Sequence, residues 1–594
     1  MITPMRHVTL MCRLEDRSDL LDRLRDFGAV HLTPVQRDHH DIEKLRSRIS
    51  EVRNVIQKLS RIQEPASPLE GSPVEVVALC QMLEDEQKGM AQLQTRVQRE
   101  LRAWEPFGTV QPSTLNALKR GGLSVDFFRS GEAPADLPEG AVWLPASTGY
   151  GISISPDPLD NLSLDPLQMP VRGVIRLQRL EQRLEALSSG HDQTLKGAAG
   201  RLPDLTAYLL DLEDELTYLQ AHAGMEHTEE LAWIEGFVPE GRDEALKAVS
   251  PEWGAALLMR DAEAGDPAPT LLKQNSFVSW IQPVFEFLGV TPGYQEVDVG
   301  ASFLIFLSVF SGMIIGDAGY GLLLLVLVAG LNLVKPATRG KFANLLYLMG
   351  SATSIWGFLT GNLFGISGIP AVFPGLSATA DPTATMNVCF ILGSIHLTLA
   401  HGWNCWRNRR SLQALAELGW IGSTWTMYAI AGNLILGWDA LPSFILPMFF
   451  VSIALVVLFM TPPKQLKEQW VDHMMLPLTV VNNFVDVVSY VRLYAVGMAT
   501  FALASSFNAM LFPEGVERNL FVNGIMAVIL ILGHALNFIL AGMGVMVHGI
   551  RLNTLEFASH VGLTWSGIPF TPFQRHSEAS ADTTSSDASD PATV

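Results

Sequence analysis

The chain has 594 residues, of which 48% are hydrophobic and only 17% charged, with a mean hydropathy of +0.23 and a formal net charge of -19. Soluble globular proteins carry about a quarter charged residues, so this composition excludes a chain solvated by water throughout. Residues 1–299 hold 29 Lys+Arg against 46 Asp+Glu, residues 300–560 hold 11 against 10, and residues 561–594 hold 1 against 4. An acidic soluble half is joined to a nearly charge-free half, the layout of an integral membrane protein with one large extramembrane domain. The acidity of the soluble half argues against nucleic acid as a partner.

From the start of the chain, residues 6–14 and 28–35 read as short strands around an amphipathic helix from Ser18 to Phe27. The opening MITPMRHVTLMCRLEDR has no basic start followed by an apolar run, so it does not read as a signal peptide, and the first 299 residues are expected on the cytoplasmic side. Ile42, Leu45, Ile49, Val52, Ile56 and Leu59 then follow at steps of 3 and 4, and Met90, Leu93, Val97 and Leu101 continue the rhythm on a second helix. After a Gly/Pro-rich insert over about 106–170, Leu177, Leu180, Leu184 and Leu187 resume it, as do Leu205, Leu209, Leu212, Leu216 and Leu219. Such seams bury themselves only against another helix. The economical arrangement is an antiparallel coiled-coil arm, and an ordinary helical bundle fits the same spacing. Residues 231–249 and 255–261 repeat the strand-helix-strand pattern, which predicts two small α+β lobes, one at each end of the arm. Cys12, Cys80, Cys389 and Cys405 show no C-x-x-C spacing and read as buried free thiols. There is no P-loop, H-E-x-x-H, G-x-S-x-G or strand-borne G-x-G-x-x-G motif, so any nucleotide chemistry belongs to another chain. No cofactor or metal is expected.

Eight apolar spans follow, at roughly 301–316, 318–334, 343–364, 385–405, 414–436, 441–461, 475–511 and 520–557. With the N-terminal half inside, the inner loops carry Lys335, Arg339, Lys341, Arg407, Arg409, Arg410, Lys464 and Lys467, and the outer loops only Arg518. This positive-inside bias supports an even number of spans and a cytoplasmic C-terminus. A bilayer core of about 30 Å takes about 20 helical residues. The last two spans run past 35, so they must tilt, bend or project.

Those two spans also carry ionisable groups far from any loop. In the seventh, Asn482, Asp486 and Ser489 precede Arg492, and Ala495, Val496, Ala499, Ala502 and Ser506 follow it as a face of small residues that admits a close neighbour. In the eighth, His534, Asn537, Ala541, Gly544, His548 and Arg551 fall at steps of 3 and 4. A charge at mid-bilayer costs from about 3 to more than 10 kcal/mol, so it normally faces protein or water and marks a pathway. Structural alternatives stand beside this reading: an Arg492–Asp486 ion pair, a snorkelling Arg551, and packed rather than relaying histidines. Arg492 stays charged at any accessible pH, so its work is electrostatic and calls for a partner that brings a carboxyl to it.

Ser489-Tyr490-Val491-Arg492-Leu493-Tyr494-Ala495 resembles the seventh-span signature of the a/I subunit of V-type and A-type rotary ATPases. Gly316-Asp317-Ala318-Gly319-Tyr320-Gly321 resembles that family's hairpin between the first two spans, and Pro269-Thr270 with Asn275 resembles its approach to the membrane. His548-Gly549-Ile550-Arg551-Leu552 with Glu556-Phe557 resembles its eighth-span motif. Gly562 to Phe573 follows the family's glycine-rich ending only loosely, and the Ser/Ala/Asp tail from about 577 reads as disordered and additional.

The resemblance implies a mostly α protein with a cytoplasmic stator arm (1–275), an eight-helix transmembrane domain with two long tilted helices (276–560) and a C-terminal tail (561–594) in the cell membrane. It implies a non-catalytic stator subunit that moves ions, expected to be protons, against a rotating proteolipid c-ring whose carboxylates pass Arg492. Peripheral-stalk and central-rotor subunits and membrane lipid are the other partners implied. By position, Asn482, Asp486 and Ser489 belong to the cytoplasmic approach and His534 and Asn537 to the external one, with His548, Arg551 and Glu556 completing the ion path. The rivals are a secondary transporter with a regulatory coiled coil, which calls for internal repeats, and a membrane tether with purely structural charges.

Overall fold

The computed structural model describes residues 1–575 except 36, 38, 109, 111, 135–136, 148, 157–163, 165, 171, 264, 367–369, 378–380, 463–469 and 512–519. Lys464, Lys467, Arg518 and the tail from 577 lie outside the described residues. Among the described residues the fold is mostly helical with two small sheets. It divides into two compact units, one of Leu10–Glu235, Ser250–Ala256 and Phe573 onward, the other of Met1–Thr9, Gly236–Val249 and Leu257–Pro572.

In chain order the first elements are β1 (Met5–Arg13), α1 (Arg17–Phe27), β2 (His31–Leu32), α2 (His40–Leu59), α3 (Pro73–Trp104), α4 (Pro112–Arg120), β3 (Ser124–Phe128), β4 (Val142–Pro145) and β5 (Gly151–Ser155). There follow α5 (Val174–Ala199), α6 (Leu202–Gly224), β6 (Glu226–His227), β7 (Leu231–Pro239), α7 (Asp243–Val249) and β8 (Ala256–Asp261). The strand order β2-β7-β1-β8, with β6 on β7, interleaves the two strand-helix-strand segments in a single sheet. The expectation of one lobe from each segment is thereby corrected. Alternation of β1 and β7 supplied the strands, but pairing between segments more than 200 residues apart leaves no local signal. The second sheet, β3-β5-β4, comes from the insert instead, with β5 antiparallel to both neighbours.

The long helices of the first unit pair as α3 with α5 and α2 with α6. α3 starts from a capping box: Ser72 N–H donates to Glu75 Oε2 at 2.8 Å, Ser72 Oγ accepts from Glu75 N–H, and Pro73 takes the first helical position. Ile49, Val52, Leu59, Val77, Cys80, Leu205 and Leu212 form one buried cluster, and Val97, Trp104, Phe127, Leu177 and Leu184 another. Each fully buried Leu or Val stabilises by about 1.5–3 kcal/mol. Leu93 and Leu187, both expected on the seam, are exposed. Leu93 lies between Met90 and Val97 of the second cluster and Leu187 just past Leu184, so the seam there turns these two side chains outward.

The other unit continues with α8 (Gln282–Leu288), α9 (Gly300–Ile315), α10 (Ala318–Val334), α11 (Lys341–Thr360), α12 (Pro382–Arg407), α13 (Gln413–Leu434), α14 (Ile445–Phe459), α15 (Trp470–Ser489), α16 (Val491–Leu511) and α17 (Leu520–Gly544). Among the described residues, four runs are long and apolar enough to cross a membrane: Lys341–Thr360, Pro382–Arg407, His473–Met510 and Phe521–Val561. α9, α10 and α14 are shorter apolar helices. The helices of this unit bury Phe303, Phe310, Tyr320, Leu397, Tyr490 and Leu493 in one cluster, whereas Val326, Leu333, Leu446 and Leu532 stay exposed. Apolar side chains inside and out are what a lipid-facing helix bundle requires.

The two longest runs, of 38 and 41 residues, are not uniform helices. The first is interrupted at Tyr490, between α15 and α16. The second changes to π-winding over Val545–Gly549 and Leu552–Phe557 before a last α-turn, Ala558–Val561. The chain end then folds back: Thr564 N–H and Oγ1 both donate to Glu296 Oε1 at 2.6 Å, and Gly293 N–H donates to its other oxygen at 2.7 Å. Burial pushes the Glu296 carboxyl up, and these donors together outweigh it and hold the group below its ordinary range.

Candidate functional site

The hairpin between α9 and α10 sets the frame. Gly316 ends α9 in the left-handed region (φ 64°), and Asp317, 1% exposed, caps α10. Its Oδ1 accepts from the amides of Gly319, Tyr320 and Phe364, and its Oδ2 from Gly365 N–H, at 2.8–3.2 Å. A buried carboxylate is tolerable here because four donors replace water. Gly357 lets the backbone pass: a Cβ there would lie 2.0 Å from Ala318 N.

This frame holds Tyr320, whose hydroxyl bonds His534 Nδ1 at 2.8 Å and accepts from Asn537 Nδ2 at 3.0 Å. Asn537 Nδ2 also donates to Thr500 O at 2.8 Å, and His534 Nε2 meets Asn508 Oδ1 at 3.1 Å. The structure thus brings His534 and Asn537 together. His548 does not share their network; it stands half-buried within electrostatic reach of Arg492 and Arg551. The stripe read at steps of 3 and 4 does not extend past Gly544, because π-winding changes the residue spacing of each turn.

Arg492 follows the interruption at Tyr490 and is paired with Glu556, not Asp486. Its Nη2 donates to Glu556 Oε1 at 3.1 Å, and Arg551 Nε lies 3.8 Å from the same oxygen. The i→i+5 bonding of the π-turn brings Arg551 and Glu556, five residues apart, onto neighbouring turns. Glu556 is 5% exposed and Arg492 25%. Arg492 Nη1 and Glu556 Oε2 are buried without a hydrogen-bond partner. Two cations on one carboxylate leave a local surplus of one positive charge and an unspent guanidinium donor.

The remaining expected residues separate. Ser489 Oγ closes on the backbone O of Asp486 at 2.7 Å, and Asn482 is exposed while its neighbour Asn483 is buried against Ser423 and Thr424. Ala495, Ala499, Ala502 and Ser506 are exposed along one face of α16. Asp486 Oδ2 bonds His560 Nε2 at 3.0 Å; His560 Nδ1 bonds His401 Nε2 at 2.8 Å, and His401 Nδ1 bonds Glu417 Oε2 at 2.7 Å. Sequence reading missed His401, Glu417 and His560. Two of them lie in apolar spans whose few ionisable side chains were the available signal.

A bundle of apolar helices, four of them among the described residues long and apolar enough to cross a membrane, with a buried arginine-carboxylate pair, defines the class: a membrane protein with ionisable side chains inside its helix bundle. The chain is 30% identical to V-type ATP synthase subunit I 1 of Treponema pallidum, over 97% of this chain and all of that protein. It is 28% identical to V-type ATP synthase subunit I of Borreliella burgdorferi over the same shares. It is 26% identical to A-type ATP synthase subunit I of Methanocaldococcus jannaschii over 68% of this chain and 64% of that one. The crystal structure of the cytoplasmic N-terminal domain of subunit I, homolog of subunit a, of V-ATPase aligns at 15% identity and a TM-score of 0.21, covering 43% of this chain and all of that domain. No family model matches. The chain belongs to the V-type/A-type ATP synthase subunit I family, membrane subunits of rotary ATPases.

Proposed function

We propose that this chain is the ion-translocating stator of its rotary ATPase, with eight membrane helices, an N-terminal coiled-coil arm over 1–275 and both termini cytoplasmic. The observation that carries the reading is Arg492: a guanidinium in an apolar helix, with Nη1 unspent and a surplus positive charge, beside an exposed face of Ala495, Ala499, Ala502 and Ser506. Small side chains let a second helix approach closely. A carboxylate carried past on a proteolipid ring would gain about 4 kcal/mol at 4 Å and an effective dielectric of 20, enough to favour its ionised form and release its proton. Arg492 thereby separates two access routes, one through Asp486 and Ser489 toward the cytoplasm, the other through His534 and Asn537 to the outside, and prevents a direct shortcut.

His548 and Arg551 flank the path, and Glu556 offsets one of the two positive charges of Arg492 and Arg551 between encounters. Asn482, exposed on α15, joins the cytoplasmic entrance. The arm, with its paired helices and acidic surface, holds peripheral-stalk subunits against the torque passed on by the central rotor. The chain does no nucleotide chemistry itself.

The test is ATP-driven proton uptake by the reconstituted complex carrying Arg492→Ala or Arg492→Lys. Both variants are expected to hydrolyse ATP without pumping, since lysine lacks the guanidinium fork. Wild-type coupling in the alanine variant overturns the mechanism. Deletion of the arm with coupling intact overturns the stator role.

A further inference from the structure

The hydrogen-bonded series Glu417–His401–His560–Asp486 is not explained by helix packing. It ties α12, α13, α15 and the last turn of the 521–561 run through side chains that can each hold or release a proton. Every contact uses a different ring nitrogen, so both imidazoles are bonded at Nδ1 and at Nε2, with heavy-atom distances of 2.7, 2.8 and 3.0 Å. Side-chain exposure runs from 19% at Glu417 through 6% and 10% at the two histidines to 26% at Asp486. The ends are partly exposed and the middle is buried. Trp420 stacks on His401 with an interplanar angle of 12°, and Asn404 Nδ2 donates to the backbone O of His560 at 2.9 Å, so the His401 ring and the His560 backbone are held.

A structural brace needs one bond per pair of helices and gains nothing from four titratable groups in series. Buried ionisable groups are costly in a membrane, and a brace of Asn, Gln or Ser does the same work with less desolvation. Imidazole is the side chain that accepts a proton on one nitrogen and passes another from the second.

We infer that Glu417, His401, His560 and Asp486 form a proton wire that serves the ion path at Arg492. Resting on the proposed function, it enters at Glu417, near the Arg407–Arg410 loop, and delivers to Asp486. A proton on Glu417 passes to His401 Nδ1, the Nε2 proton of His401 passes to His560 Nδ1, and the Nε2 proton of His560 passes to Asp486 Oδ2. One proton enters and one leaves from Asp486. The net charge of the four groups is unchanged by the shift, and each imidazole ends as its other tautomer. A further transfer requires each ring to return to its Nε2–H tautomer by proton exchange, because rotating a ring fixed at Cγ carries the Nδ1 proton with it.

The test uses the complete complex in liposomes, reading ATP-driven internal acidification per assembled complex alongside ATP hydrolysis, for His401→Gln, His560→Gln, Glu417→Gln and Asp486→Asn, with Arg492→Ala in parallel. The wire predicts at least a tenfold loss of pumping in both histidine variants with subunit composition unchanged, and partial recovery in His560→Gly on adding imidazole, which a brace would not give. Wild-type pumping in His401→Gln or His560→Gln, with Arg492→Ala inactive, overturns the wire alone; a fully coupled Arg492→Ala overturns the underlying reading instead. If neither histidine variant assembles, Glu417→Gln, which keeps size and hydrogen bonding, decides: a tenfold loss supports the wire and wild-type pumping overturns it. Loss of pumping without imidazole recovery in an assembled His560→Gly complex identifies a brace and also overturns it.

Discussion

The α3–α5 pair and the run Phe521–Val561 are both long helical structures, and they treat regularity in opposite ways. α3 keeps α-winding for 32 residues, buries Val97 and Trp104 and turns charge outward. The 41-residue run exposes Leu532, Leu536 and Ile539, buries Asn537, Asn553 and Glu556, and becomes π-wound twice beside its charges. Where a helix has only to pack, a 3-and-4 rhythm of apolar residues suffices. Where charges must be aimed within an apolar solvent, the winding itself is altered.

The sharpest way to break this contrast is Glu556→Ala. It strands Arg492 and Arg551 beside each other, and removing one partner of a buried pair costs about 3–5 kcal/mol. Coupled pumping is expected to disappear and the yield of assembled membrane sector to fall, measured by co-purification and proton uptake; Glu556→Asp should recover part of both. Next comes Asp317→Ala, which leaves the amides of Gly319, Tyr320, Phe364 and Gly365 without their acceptor. At about 1–3 kcal/mol for a buried group left bare, with partial relaxation, a net loss of about 3 kcal/mol is expected. Thermal unfolding of the purified chain in detergent reads it. An ordinary melting curve would show that this hairpin does not depend on its cap.

The contrast also explains what could be read in advance. Ile42 to Leu59 and Leu205 to Leu219 announced their helices because burial repeats locally, and Arg492, Arg551, His534 and Asn537 announced themselves as polar groups in apolar runs. The partner of Arg492 could not be read. Asp486 lies six residues away, which on a helix of 3.6 residues per turn is a different face, and the helix is interrupted between the two at Tyr490. Glu556 is 64 residues downstream, and its approach depends on π-winding that no 3.6-residue template contains. His401 and Glu417 give no paired signal in the sequence because they stand 16 residues apart on different helices, and the sheet order is hidden because β1 and β7 are far apart in the chain.

A smaller effect belongs to the regular side of the comparison. Ile49→Val removes one methylene from the cluster around Val52 and Leu205, for an expected 0.5–1.5 kcal/mol, roughly. The loss should appear as faster amide exchange confined to α2 and α6, with proton pumping unchanged. A change in pumping of more than a few per cent would mean that the arm's core is tuned for transmission rather than for packing alone.

The smallest expected effect is chemical. Cys80 lies in the same apolar cluster, and burial pushes its thiol from 9.0 up to about 11. Only about one molecule in a thousand is a thiolate at pH 8, and the thiolate is the reacting species. Alkylation of folded protein at Cys80 should therefore be negligible at pH 8 and rise about tenfold per pH unit toward 11, followed by mass spectrometry of the peptide. The sign for stability follows from proton counting. Between pH 9 and 11 the unfolded chain has released this proton and the folded chain still holds it, so folding is favoured less as pH rises through that window and is unaffected by Cys80 below it. Rapid labelling at pH 8 would show that α2, α3 and α6 open around Cys80, and the arm would then be a far looser structure than the membrane helices rather than a stiffer one.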